Sequence, residues 1–423
     1  VTADICRQHG IIQVSDPDEL VATFLLFSGS APPAGPRAAV MTLSGGYATL
    51  TADLREPAGL ELPRLAPATL ERLAPLIDGR PGNPFDAWGS GDFRRSLAVG
   101  AAALLVDTAT DFLVLFQDLP PENAVNGVDV PEAAIELIGE LGPTDKPLVL
   151  LGSLGDRPAG SRLERLASLG VPYLAGAGSG IRALGSWAGY RRRLDSLESR
   201  LASRTESAQR QPSGSAQPSL SRLPLVDEGL ARSPEEAAEY AERIGYPVVL
   251  KVQSPDIPHR TEARAVALAV EREQLEEAYT TILRRAASAV PGASIEGVAV
   301  QRQMPPGLEM IVGASRDPEW GWVVMCGLGG VSVEIFRDVV FRRVPLTPGD
   351  VRAMLEQLRS YPLLVGFRGQ PSRDLDALSA LILELAELAQ REGESLRQVE
   401  FNPVIVYERG GGVAVVDRLV VTG

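Results

Sequence analysis

Lys251, His259, Asn402 and Asp417 are the residues of this chain whose types and spacing could do chemistry. Lys251 is one of two lysines in 423 residues, the other being Lys146, and arginine supplies the rest of the positive side-chain charge. It ends the run Tyr246-Pro247-Val248-Val249-Leu250. A sequence so poor in lysine keeps one where a compact ammonium is wanted and a planar guanidinium is not. A strand-borne ammonium reaching a phosphate oxygen is such a place. A strand-end lysine with its head in water is the plainer role, and the residues downstream weigh against it. His259, one of two histidines, follows eight positions later.

The second group lies near the C-terminus, where 399–407 and 413–421 read as two strands of a hairpin. Glu400 and Asn402 are two apart and share a face. With 408–411 as a four-residue loop, Asn402 stands opposite Asp417, Cβ atoms roughly 5 Å apart. A five-residue loop turns the two to opposite faces. A carboxylate beside an amide oxygen suits Mg2+, which takes few protein ligands and leaves room for water and phosphate oxygens. A polar pair on an exposed hairpin face is the other reading of the same residues.

The elements that must position these groups follow from patterning. Short apolar strands at 38–43, 112–116, 147–151 and 171–174 alternate with helical segments, which predicts a parallel α/β sheet over 33–190. Residues 1–32 read as the C-terminal remnant of a preceding domain, with a helix over 17–27 capped by Ser15 and Asp16. The charged helix and the Ser, Gln and Pro-rich stretch over 191–222 form a linker. The region 223–423 begins with Ser233-Pro234-Glu235-Glu236, a helix start with a serine cap and proline at the first helical position. It continues with a strand carrying Lys251, strands near 265–270, 298–301, 310–313, 323–325 and 331–336, helices over 272–289, 348–359 and 374–391, and the hairpin.

Hydrophobic residues make up 45% and charged residues 22%, as in globular domains, and the net charge of −13 argues against nucleic acid or an anionic membrane as partner. Cys6 and Cys326 fit neither a disulfide framework nor a metal spacing, and no stretch is long and apolar enough to cross a bilayer, so a cytoplasmic location is expected. The chain begins with Val1 rather than methionine, which reads as a fragment or a processed product.

Together these residues resemble one family. Lys251 after an apolar strand, His259-Arg260-Thr261-Glu262, Gln301 with Glu309, Gly327-Leu328-Gly329-Gly330, Gly366-Phe367-Arg368-Gly369 with Pro371 and Asp374, and Glu400-Phe401-Asn402-Pro403 through Asp417 are similar to the ATP-grasp domain of ADP-forming acyl-CoA synthetases, relatives of succinyl-CoA synthetase. Ser44-Gly45-Gly46, Asp53, Asn83-Pro84-Phe85-Asp86 and Lys146-Pro147 resemble the family's flavodoxin-like ligase domain. The likeness covers nearly the whole chain except the linker. It implies a flavodoxin-like domain followed by a two-lobed ATP-grasp domain, with ATP or ADP and Mg2+ as cofactors and CoA as a substrate. Lys251 would neutralise nucleotide phosphates, with Arg260 beside them. Gln301 would lie at the hinge that reads adenine, and Glu309 on the ribose side. Asn402 and Asp417 would hold Mg2+. His259 would be a second phosphate carrier, an imidazole being a competent nucleophile toward phosphorus. The amides of Gly45 and Gly46, opening a helix, would face a phosphohistidine or an acyl phosphate.

The family usually has Gly-Gly after its acidic run, where this chain has Arg264-Ala265. Side chains there crowd the backbone's approach to phosphate, and Arg264 brings a charge in exchange. The family's CoA-binding domain and its Ser-His-Thr-Gly loop have no counterpart here, and His9 does not match that loop. The expectation is therefore an incomplete acid–thiol ligase that pairs with a CoA-binding domain upstream or in another subunit, within a homo- or hetero-oligomer. A regulatory module sensing nucleotide or acyl-CoA, for example beside an acyltransferase, is the alternative.

Overall fold

The computed structural model describes residues 1–88, 92–120, 124–125, 128–153, 158–195, 197–198, 223–257, 263–330, 335–392 and 395–422. The chain divides into two compact units, His9–Ala202 and Val1–Gln8 with Ser203–Gly423. The segment 1–32 contributes to both: helix Thr2–Gln8 counts with the second unit and helix Pro17–Gly29 with the first.

In His9–Ala202, β1 (Ala38–Thr42), β2 (Phe85–Asp86), β3 (Phe112–Phe116), β4 (Leu148–Leu151) and β5 (Tyr173–Leu174) form a parallel sheet in the order β2-β1-β3-β4-β5. This is the flavodoxin-like winding, with its switch point between β1 and β3. The apolar runs are continuous because both faces are covered. Ala39, Met41, Leu113, Leu115, Leu148 and Leu150 pack in one core, and Ala38, Val40, Phe112, Val114, Val149 and Leu151 in the other. At the sheet's N-terminal edge, Lys146 donates to the Asp107 carbonyl and to Thr110 Oγ1 (3.1 Å), while Arg37 pairs with Asp111 at 2.6 Å. Burial pushes the Lys146 ammonium below the ordinary lysine value, against the pull of Asp107 and Asp111. This lysine has a structural role.

The second unit has two lobes. In the N-terminal lobe, β6 (Glu228–Ala231), β7 (Val248–Gln253), β8 (Val266–Val270) and β9 (Gly297–Arg302) form an antiparallel sheet in the order β8-β7-β9-β6. Val248, Leu250, Val252, Val298 and Val300 pack with helices Pro234–Ile244 and Leu275–Ala289. Strand alternation therefore turns Val249, Lys251, Ala299 and Gln301 to the opposite face.

In the C-terminal lobe, β10 (Leu308–Asp317), β11 (Gly321–Leu328), β12 (Val339–Arg343), β13 (Leu396–Val406), β14 (Val413–Val415) and β15 (Arg418–Thr422) form an antiparallel sheet in the order β12-β11-β10-β13-β14, with β15 also beside β13. Its core is built with helices Pro348–Glu356 and Leu375–Glu392. Helix Thr2–Gln8 covers the β12 edge. The Gln8 amide pairs both ways with the Arg343 backbone (2.9 and 2.7 Å), and Asp4 accepts from Phe341 N at 3.2 Å.

Two expectations need correction. The return strand predicted over 413–421 is interrupted at Val416 and Asp417, because it faces Pro403, which has no N–H for the ladder. The helix predicted over 348–359 ends at Glu356. The strand expected over 331–336 lies mostly outside the described residues.

Candidate nucleotide cleft

The interruption at Val416 organises the site. Val416 N donates to Pro403 O at 3.1 Å, and the reciprocal bond of that pair is one Pro403 cannot make. The Val416 carbonyl is therefore left for side chains. Lys251 Nζ donates to it at 3.1 Å and Gln301 Nε2 at 2.8 Å. Both donors come from the N-terminal lobe, on strands that place Lys251 beside Ala299 and Gln301 beside Val249. Lys251 is 7% exposed and Gln301 1%. Asp417 Oδ2 lies 3.8 Å from the Lys251 ammonium. Among the described residues, Gln301 Oε1 is buried without a hydrogen-bond partner, an acceptor without a donor.

The hairpin has the register of a four-residue loop. Val406 pairs with Val413, Tyr407 N donates to Gly412 O, and Gly411 N closes the loop on Glu408 O at 2.7 Å. Asn402 consequently stands opposite Asp417, its N–H donating to the Asp417 carbonyl at 3.2 Å. Asn402 Oδ1 accepts from Gly330 N at 3.1 Å. Glu309, on β10, accepts through its carbonyl from Gly329 N at 2.8 Å. A Cβ on Gly330 would sit 1.9 Å from Glu309 Oε2, and its φ of 63° is itself unfavourable for a side chain, so a larger residue there would strain the backbone and displace the Glu309 carboxylate. Glu309, Gly330 and Asn402 thus form one neighbourhood, and Lys251, Gln301, Val416 and Asp417 another, joined across the hairpin by Asn402 and Asp417.

Asp374 anchors the loop from below. Its Oδ2 accepts from Gly410 N and Gly412 N, both at 2.9 Å, and its Oδ1 from Ala377 N at 3.0 Å. The amides of Ala377 and Gly412, then Gly410, hold its carboxyl below the usual aspartate value.

Sequence reasoning missed the Val416 carbonyl, although Pro403 signals it, and the Arg418 to Glu228 ion pair (3.2 Å) at the rim. The cavity bounded by Glu228, Gln301, Val416, Asp417 and Arg418 holds about 10 Å³, space for a water and not for a nucleotide. His259 and Arg260 lie outside the described residues. Gly45 and Gly46 are in the other unit and open helix Gly45–Ala58. Beside them, at the carboxyl ends of β1, β3 and β4, Tyr47 Oη donates to Ser153 Oγ (2.8 Å) and Ser153 Oγ to Asp118 (2.7 Å), a cluster with no sequence motif to announce it.

The model of the ATP-grasp domain family matches residues 214–421. The beta subunit of acetate–CoA ligase (ADP-forming) II from Pyrococcus furiosus is 39% identical over 203 residues, covering 48% of this chain and 86% of that protein. The chain belongs to the ADP-forming acyl-CoA ligase family. Acetate–CoA ligase (ADP-forming) I of Archaeoglobus fulgidus is 32% identical over 444 residues, which take in 99% of this chain and 61% of that protein. The chain thus spans about three fifths of that ligase. A solved structure of the Ca. Korarchaeum cryptofilum dinucleotide-forming acetyl-coenzyme A synthetase 1, in complex with coenzyme A, Ca-AMPCP and HgCl+, is 39% identical, with a TM-score of 0.46, and the match covers 49% of this chain and 89% of that one. Within this ligase family member, no described helix is long and apolar enough to cross a membrane.

Proposed function

We propose that this chain supplies the nucleotide half-site of an ADP-forming acyl-CoA ligase, whose reaction converts a carboxylic acid, CoA and ATP into acyl-CoA, ADP and phosphate. The observation that carries the reading is the convergence of Lys251 and Gln301 on the Val416 carbonyl beside Asp417, with Asn402 directly across the hairpin. On opening of the cleft, Lys251 exchanges a carbonyl for a phosphate oxygen and balances charge building on the transferred group. Gln301 offers its buried acceptor to an N–H of the base. Glu309 is the acceptor for ribose hydroxyls.

The residues present fit Mg2+. Asn402 and Asp417 offer an amide oxygen and a carboxylate from opposite sides of the hairpin, and the Asn402 oxygen keeps a lone pair beyond its bond to Gly330. Asn402 and Asp417 would hold the ion, which would supply positive charge to the phosphates during transfer. Phosphate then passes through histidine, with His259 as the carrier in this chain and a CoA-binding domain, upstream or in another subunit, completing the reaction.

Calorimetric titration with Mg-ATP and Mg-ADP tests the assignment. Both bind, and Lys251→Ala weakens binding by about ten- to a hundredfold; undiminished binding in that variant refutes it. The isolated chain does not complete the reaction, so CoA-dependent ADP release at enzyme-like rates would overturn that part. The regulatory reading draws support from Arg264, which holds φ of 50° where glycine would be at ease. No detectable nucleotide binding would favour it.

A further inference from the structure

We propose that Arg264, Arg284 and Arg285 form a binding pocket for a small phosphate-bearing anion on the helix side of the N-terminal lobe, separate from the nucleotide cleft. The three line one open surface depression of about 420 Å³ together with Ser288, and all four residues are exposed. Arg284 and Arg285 lie on helix Leu275–Ala289, and neither has an acidic residue three or four positions away. Among the described residues none of the three makes an ion pair, and Arg284 Nη2 is bonded only weakly to Thr281 Oγ1 at 3.3 Å. Three guanidinium groups around one depression repel one another, in a protein whose net charge is −13. A bound anion removes that repulsion, and the forked donors of arginine match phosphate oxygens.

Arg264 adds an independent observation. Its φ of 50° is left-handed, a conformation that costs any residue with a Cβ, and Ala263 and Ala265 on either side are buried in the helix-side core. Strain kept at an arginine whose side chain lines this depression points to use of that side chain. The pocket is not a rim of the cleft. Arg284, Arg285 and Ser288 belong to the helix packed on one face of the sheet, and Lys251 points from the other face. The depression suits a phosphate, a diphosphate or the phosphorylated end of a larger molecule. The acidic chain repels anions at long range, so such a ligand needs this local concentration of charge.

The test titrates the full chain with inorganic phosphate and pyrophosphate at ionic strength held constant with chloride. Saturable binding is expected, unchanged in Lys251→Ala and weakened roughly tenfold in each of Arg284→Ala and Arg285→Ala, the loss of one charge-assisted hydrogen bond. Arg264→Gly separates ligand binding from folding: it relieves the backbone and raises Tm while weakening phosphate binding. Three outcomes overturn the proposal. Saturation fails; or chloride alone gives the same response, an adventitious ion only; or binding is lost in Lys251→Ala and kept in the arginine variants, which puts the phosphate in the cleft. Because Lys251→Ala separates the two sites, failure here leaves the nucleotide assignment standing.

Discussion

At the scale of single residues, the site depends on an atom that carries no side-chain signature. Lysine at 251 and the Asn402 and Asp417 pair were legible in the sequence, because residue rarity and hairpin register are both read from letters. The Val416 carbonyl was not, since what matters there is the N–H that Pro403 lacks. Gln301 was singled out only through family likeness, and its buried acceptor emerged from packing. Two expectations belong here. Lys251→Arg fails to restore what Lys251→Ala removes, because Lys251 is only 7% exposed and the larger guanidinium does not fit the space of its ammonium. Each variant weakens Mg-ATP by about ten- to a hundredfold in equilibrium titration. Asp417→Asn raises the Mg2+ concentration for half-saturation at least about tenfold, the loss that even outer partners of a metal site cause, and leaves metal-free folding intact by thermal melt.

At the scale of elements, the hairpin is held by its loop as much as by its ladder. Three amides, those of Ala377, Gly410 and Gly412, depend on the Asp374 carboxylate. Asp374→Ala should cost about 2 kcal/mol in urea unfolding. The Asp374 value is depressed in the folded state, so its contribution is fully present above the unfolded aspartate value of about 3.9 and is lost as pH falls through the lower folded value. Asp107 has the same sign: burial works against its charge, but Thr69 and the amides of Ala66 and Ala109 outweigh it. Unfolding measured from neutral pH to below pH ~4 should therefore show stability falling with acidification, and Asp374→Ala should flatten that decline. The main strands were legible from apolar runs and alternation. The two-residue β2 and the strand Glu228-Gly229-Leu230-Ala231 were not, because neither has length or period, and neighbouring strands recruit them.

At the scale of the whole chain, the likeness to the A. fulgidus ligase runs through both units and takes in 61% of that protein. Within the second unit the lobes are drawn together by Lys251 on Val416 and by Arg418 on Glu228. An exposed ion pair contributes about 0.2 to 1 kcal/mol. Arg418→Ala should thus speed Mg-ATP association by about 1.5- to 5-fold in stopped flow; an unchanged rate would mean the rim pair does not govern opening.

The bond from Lys251 to Val416 has one more consequence. On the proposed reading, a backbone oxygen occupies the ammonium that would meet phosphate, and the chain would compete with its own ligand. The apparent dissociation constant for nucleotide is then the intrinsic one divided by the fraction of molecules in which Lys251 has let go. Affinity can be tuned, by mutation or by a neighbouring domain, through a carbonyl that need not touch the nucleotide.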